Sequence, residues 1–216
     1  RSELVERRPE WPVALRLEPL PEADVHALIP GRLTDELRAK VTHASGGNPL
    51  FVTEMVEMAV ESEGEVAGPP TLQALLAARL DQLEDGERFV LERGAVEGEI
   101  FHRGAVQALS DGRPVTPRLA ALVRKGLIRP ETAQLPGEDA FRFRHLLFRD
   151  AAYDALPKAT RAELHERLAA WLDQKGEHLV ELDQILGFHL ELAARYKAEL
   201  GQPDSGLAEE AGERLA

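Results

Sequence analysis

At 216 residues, the chain is long enough for more than one compact unit, and its 44% hydrophobic and 30% charged residues mark a folded protein, not a disordered one. The absence of cysteine excludes disulfides, thiolate nucleophiles and Cys-ligated metal centres. The 26 Lys and Arg stand against 38 Asp and Glu, a net charge of −12 that repels a phosphate backbone. No apolar run approaches the roughly 18–20 residues of a membrane span, and no secretory signal opens the chain, so a cytoplasmic protein without membrane contact is expected.

Ala, Leu, Glu and Arg dominate, which favours helix throughout. Helices are predicted over 21–29 and 35–45, the second stopped by Gly46-Gly47. Asn48-Pro49 restarts a helix carrying Leu50, Phe51, Met55, Val56 and Val60. The acidic, Gly/Pro-rich stretch 61–70 reads as a linker. Leu72, Leu75, Leu76, Leu80 and Leu83 then form one stripe of a helix over 71–83, with Thr71 as its N-cap. Further helices are expected over 86–96 and 102–109. Thr116-Pro117 opens another, with Leu119, Leu122 and Val123 inward and Gly126 as its stop.

Leu127-Ile128-Arg129 and Phe141-Arg142-Phe143 change to a period of two around a polar segment, which predicts a β-hairpin. Three helices followed by a hairpin outline a winged helix. The chain returns to helix over 145–156. Thr160 and Glu163 read as a capping box ahead of Leu164, Leu168, Trp171 and Leu172. Ile185, Phe188, His189, Leu192 and Tyr196 mark one face of the next helix, giving an antiparallel hairpin of repeat type. The chain starts at Arg1 without methionine, and 207–216 reads as a helix just begun, so an excerpt of a longer protein is expected.

The sequence holds no G-x-x-x-x-G-K-[ST], G-x-G-x-x-G or G-x-S-x-G pattern. His165-Glu166 begins like a zinc H-E-x-x-H, but Ala169 stands where the second ligand belongs, so His165 is expected to flank the helix face near Leu164 and Leu168. No metal site and no enzymatic activity of the chain by itself are expected.

Two segments carry more. Gly46-Gly47-Asn48-Pro49-Leu50-Phe51 places backbone amides and a proline ring at a helix start, suited to part of a nucleotide. The same pattern also describes an ordinary turn, a C-cap followed by an N-cap. His145 falls where a strand ends and a helix begins, a place from which an imidazole can donate to phosphate. Its alternative is a cap for that turn, with Arg149 and Asp150 as surface charges.

The series Arg16-Leu17-Glu18-Pro19-Leu20, Gly47-Asn48-Pro49-Leu50-Phe51, Pro70-Thr71-Leu72-Gln73-Ala74-Leu75, Phe143-Arg144-His145 through Tyr153, and Leu156-Pro157-Lys158 resembles the STAND-type AAA ATPases of bacterial signalling proteins. Such ATPases occur behind adenylate/guanylate cyclase domains or in large transcriptional regulators. The resemblance implies a mainly α chain. Residues 1–20 would end a nucleotide-binding core, 21–61 form a helical lid, 62–70 a linker, and 71–156 a winged-helix domain with a small β-hairpin wing. Residues 157–216 would be an α-helical hairpin starting tetratricopeptide-like repeats. It further implies Arg1 as a sensor arginine reading the γ-phosphate, Pro49 against adenine, His145 on the β-phosphate of ADP, and Asn48 with Pro49 and His145 as part of the closed-state clamp.

ATP or ADP with Mg would belong to the context of an upstream core, since the phosphate-binding loop and metal-binding acidic strand are missing here. The implied role is a lid and switch that holds the ADP-bound state inactive. Its partners would be the core and downstream repeats of the same protein. Arg118, Arg124, Lys125 and Arg129 offer a rival reading, a DNA-binding winged helix, which the net charge disfavours. A protein-interaction scaffold is a third reading. Self-association through Leu50, Phe51 and Met55, if these are exposed, is also expected.

Overall fold

The computed structural model describes residues 18–31, 33–61, 72–175 and 181–216. It is mainly helical with one small antiparallel sheet, and it divides into two compact units, Arg1–Leu75 and Leu76–Ala216.

The N-terminal unit contains α1 (Glu22–Leu28), α2 (Asp35–Ser45) and α3 (Pro49–Glu61). Thr34 caps α2 by accepting from the Leu37 amide at 3.4 Å. The Arg38 guanidinium donates to the carbonyls of Leu33 and Pro30 and so fixes the turn from α1. Val41, Val52 and Met55 are fully buried, and Phe51 nearly so. Phe51 and Met55 are thus core residues of α3, which corrects the expectation that they are exposed; their spacing of four places them on one inner face.

α4 (Leu72–Asp81) spans the boundary between the units, with Leu75, Leu76 and Leu80 buried as the stripe predicts. The C-terminal unit continues through α5 (Asp85–Glu97), β1 (Ile100–His102), α6 (Arg103–Ala108), α7 (Thr116–Arg124), β2 (Ile128–Glu131), β3 (Ala140–Phe143) and α8 (Leu146–Asp154). The expected hairpin forms with Ile128 opposite Phe143, but β3 also pairs with β1, giving the strand order β1-β3-β2. His102, expected to begin a helix, is therefore the last residue of a strand, and the helix starts at Arg103. The buried Phe101 ring lies 5.2 Å from Phe143 and 5.9 Å from Phe141, and this cross-strand contact overrides the local helical pattern. A capping box of Glu84 and Glu87 starts α5. Thr116 is the first residue of α7 instead of its cap, and Gly126 ends the turn after α7 at φ +69°.

The wing between β2 and β3 folds back on the protein. Leu135 is 2% exposed and belongs to the core cluster containing Leu172 and Leu186. Its far end is tied to α6: the Gly104 amide donates to Glu138 at 3.0 Å and the Arg103 amide to the Asp139 carbonyl at 2.8 Å.

α9 (Lys158–Lys175), α10 (Leu182–Glu199) and α11 (Ser205–Leu215) follow. Thr160 lies within α9 and is not its cap, because the helix already begins after Pro157, whose carbonyl accepts from the Arg161 amide at 2.9 Å. The buried face of α10 is Leu186, His189, Leu190, Ala193 and Tyr196, while Phe188 is 52% exposed, against expectation. Gly187 permits close approach of α11: a Cβ there would lie 2.6 Å from Leu215.

Candidate functional site

Arg1, the predicted linker 62–70 and the predicted cap Thr71 lie outside the described residues. Asn48 and Pro49 belong to the N-terminal unit and His145 to the C-terminal one.

The segment 46–49 is built as both a cap and a platform. Gly46 and Gly47 take φ +53° and +75°, turning the chain out of α2. Gly47 is pressed onto the segment before α1: its carbonyl accepts from the Leu20 amide at 2.9 Å, and a Cβ would lie 2.6 Å from the Leu20 carbonyl oxygen. Two separate pieces of the sequence pattern, Pro19-Leu20 and Gly47-Asn48-Pro49, thus meet. Asn48 Oδ1 accepts from the amides of Leu50 and Phe51 at 3.0 and 3.3 Å, so the side chain caps α3. Asn48 and Pro49 are exposed, leaving the proline ring on the surface.

His145 occupies the N-cap position of α8 in extended backbone conformation, half-buried, with its ring 6.4 Å from Phe148. Its carbonyl accepts from the Phe148 amide at 3.0 Å, while its side chain makes no capping bond. The imidazole stands at the positive end of an α-helix, where an anion is favoured. Arg149, expected as a surface charge, instead donates to the Ala95 carbonyl at 3.1 Å and locks α8 to α5.

Three of the four basic residues that suggested nucleic acid face acids. Arg118 pairs with Glu84 at 2.5 Å, Lys125 with the buried Glu87 at 2.7 Å, and Arg129 with Glu131 at 3.8 Å. Arg124 is exposed near the end of α7.

Sequence reasoning missed a buried polar row joining α8, α9 and α10. His165 is 1% exposed; its Nε2 lies 2.7 Å from the Tyr153 hydroxyl and its Nδ1 2.9 Å from His189 Nδ1. Tyr153 and Tyr196 hydroxyls are 3.1 Å apart. Burial, then the neighbouring His189 and Arg149, takes His165 down to about 3, and burial with Arg149 takes His189 to about 4. Both rings are held neutral. Burial, reinforced by Tyr196, pushes the Tyr153 phenol up. The only sequence signal was position, since His165 and His189 each fall on an apolar helix face. A second buried pair, His102 Nδ1 and Glu97 at 2.6 Å, sits at the end of β1.

This fold has a counterpart among solved structures. The fold is similar to that of a signal transduction ATPase with numerous domains (STAND) protein with a tetratricopeptide repeat sensor from Pyrococcus horikoshii, with a TM-score of 0.57 and 19% identity over 93% of this chain and 28% of that one. The fold is STAND-like. An uncharacterized protein of Rhizobium meliloti (strain 1021) is 29% identical over 199 residues, covering 76% of this chain and 19% of the relative. The chain therefore spans about a fifth of that relative's length and 28% of the solved structure. No protein-family model matches it.

Proposed function

We propose that the chain is the lid and winged-helix segment of a nucleotide-dependent signalling switch, which holds an ADP-bound inactive state and couples it to a helical sensor region. The observation that carries this reading is the similarity over 93% of the chain to a STAND protein with a tetratricopeptide repeat sensor. Each piece by itself suits part of a nucleoside diphosphate: in the N-terminal unit Pro49 offers an exposed apolar ring for a base and Asn48 its amide nitrogen, and in the C-terminal unit His145 offers an imidazole at a helix start for phosphate. With no phosphate-binding loop in the sequence, the chain itself is proposed to clamp and release, and not to hydrolyse. ATP, Mg and the sensor role of Arg1 belong to the upstream core in this reading. A two-state element of this kind responds only to contacts that differ between its states.

In the full-length protein, His145→Ala is expected to release bound ADP about tenfold faster, as loss of a hydrogen bond to a charged group implies. Unchanged ADP retention together with unchanged output would remove His145 from the clamp. The groove-reading alternative has little support: Arg118, Lys125 and Arg129 are paired with acids, and the wing is buried at Leu135.

A further inference from the structure

A concave cavity of about 340 Å³ opens in the C-terminal unit between the winged helix and the helical hairpin. Leu135 from the winged-helix side and Leu172 from the hairpin are its buried apolar wall, with Ile185 half-buried beside them. These walls suit one ring, and the volume falls at the lower end of small-molecule sites. The rest of the lining is open to solvent: Phe188 is 52% exposed, and Gln134 and Gln184 are exposed as well. An aromatic ring and two amide oxygens all attract positive charge.

The charges of the wall select the same sign. Among the described residues no lysine or arginine lines the cavity. His189 in the wall adds no charge, because burial and Arg149 hold its imidazole neutral. Glu97 brings a carboxylate. Glu99 and Asp183, which flank wall residues in the sequence, have fixed counter-charges, Arg142 at 2.5 Å and Arg214 at 2.7 Å. Glu97 has only the His102 imidazole, at 2.6 Å, as an ion-pair partner among the described residues. A neutral ring that donates its Nδ1–H completes this hydrogen bond and leaves the negative charge standing. The Glu97 side chain is 10% exposed, so its field reaches the cavity through little water and acts on a ligand without touching it.

The geometry points to a binding site in this cavity for a small organic cation, a protonated amine carried on a single ring. The ring rests on Leu135, Leu172 and Ile185, and the ammonium meets Phe188 and the amide oxygens of Gln134 and Gln184. The site lies wholly within the C-terminal unit, and it is independent of the nucleotide reading.

The test titrates the chain at pH 7 with benzylamine, benzyl alcohol and benzoate, which share one ring and differ in charge, following heat and the methyl shifts of Leu135 and Ile185. Benzylamine is expected to bind saturably, to move both methyl signals, and to bind about tenfold more tightly than benzyl alcohol, with benzoate weaker still. Glu97→Gln is expected to erase the preference for the amine, and Phe188→Ala, at the exposed rim, to weaken benzylamine about fivefold. Failure of benzylamine to saturate, equal affinity for amine and alcohol, benzoate binding as tightly as the amine, or a preference that survives Glu97→Gln would overturn the proposal. Should Glu97→Gln not fold, undiminished benzylamine binding by Phe188→Ala would overturn it equally.

Discussion

Gly46 and Gly47 both adopt left-handed backbone, but only one of them is crowded. A Cβ at Gly46 meets nothing within 4 Å, whereas one at Gly47 lies 2.6 Å from the Leu20 carbonyl oxygen and 2.8 Å from Pro19. Gly47→Ala is therefore expected to destabilise the N-terminal unit by roughly 1–3 kcal/mol, and Gly46→Ala by less, as thermal melts of the two variants would show. The histidine pair makes a separate prediction. Both imidazoles titrate lower in the folded chain, at about 3 and about 4, than the 6.5 of an unconstrained histidine. Their contribution is complete above that higher value and is lost as pH falls toward the folded ones. Roughly 2 kcal/mol per histidine is expected to disappear between pH 7 and pH 5, read from urea unfolding at each pH. The double variant His165→Gln, His189→Gln should be weaker at pH 7 yet have a shallower pH slope. Asn48 as an N-cap was legible in the sequence because a cap acts on amides two or three residues away. The histidine pair was not, because its members are 24 residues apart on different helices and meet only when α9 and α10 pack.

Helices with long apolar stripes could be read directly, since each repeats its period several times, and the hairpin of β2 and β3 because two short runs flank one polar, Pro/Gly-containing segment. β1 could not. Three residues are too few to show alternation, and they are held as strand by Phe101 packing on Phe141 and Phe143. The start of α9 was misplaced for a related reason: Thr160 and Glu163 match a capping pattern, but Pro157 opens the helix earlier. The wing was the hardest element to place. Leu135 is a single apolar residue in a polar loop, and nothing local announces that it is buried with Leu172 and Leu186. Leu135→Ala is expected to cost about 2–4 kcal/mol of stability in urea, a size reserved for core truncations. A free, groove-seeking wing would lose almost nothing.

The whole chain carries −12 charges, and its winged helix spends much of its basic character on internal ion pairs. No retardation of random duplex DNA is expected at physiological salt, and a shift that weakens steeply with added salt would contradict this. α5 packs against α7, α8 and α9, so the winged helix and the hairpin share one interior instead of meeting as separate beads. Within that interior the row of Tyr196, Tyr153, His165 and His189 has a property that no single contact has. Every link needs one hydrogen and one lone pair, and neutral His165 has one of each, so its two links, to Tyr153 and to His189, must run the same way. Only two directions exist, and exchanging them moves hydrogens while leaving every heavy atom in place. One end of this run is His189 on α10, and Tyr153 at the other belongs to the helix that His145 opens. Three helices thereby store a binary orientation, written by whatever donates or accepts beside His189 and legible at the hydroxyl of Tyr153.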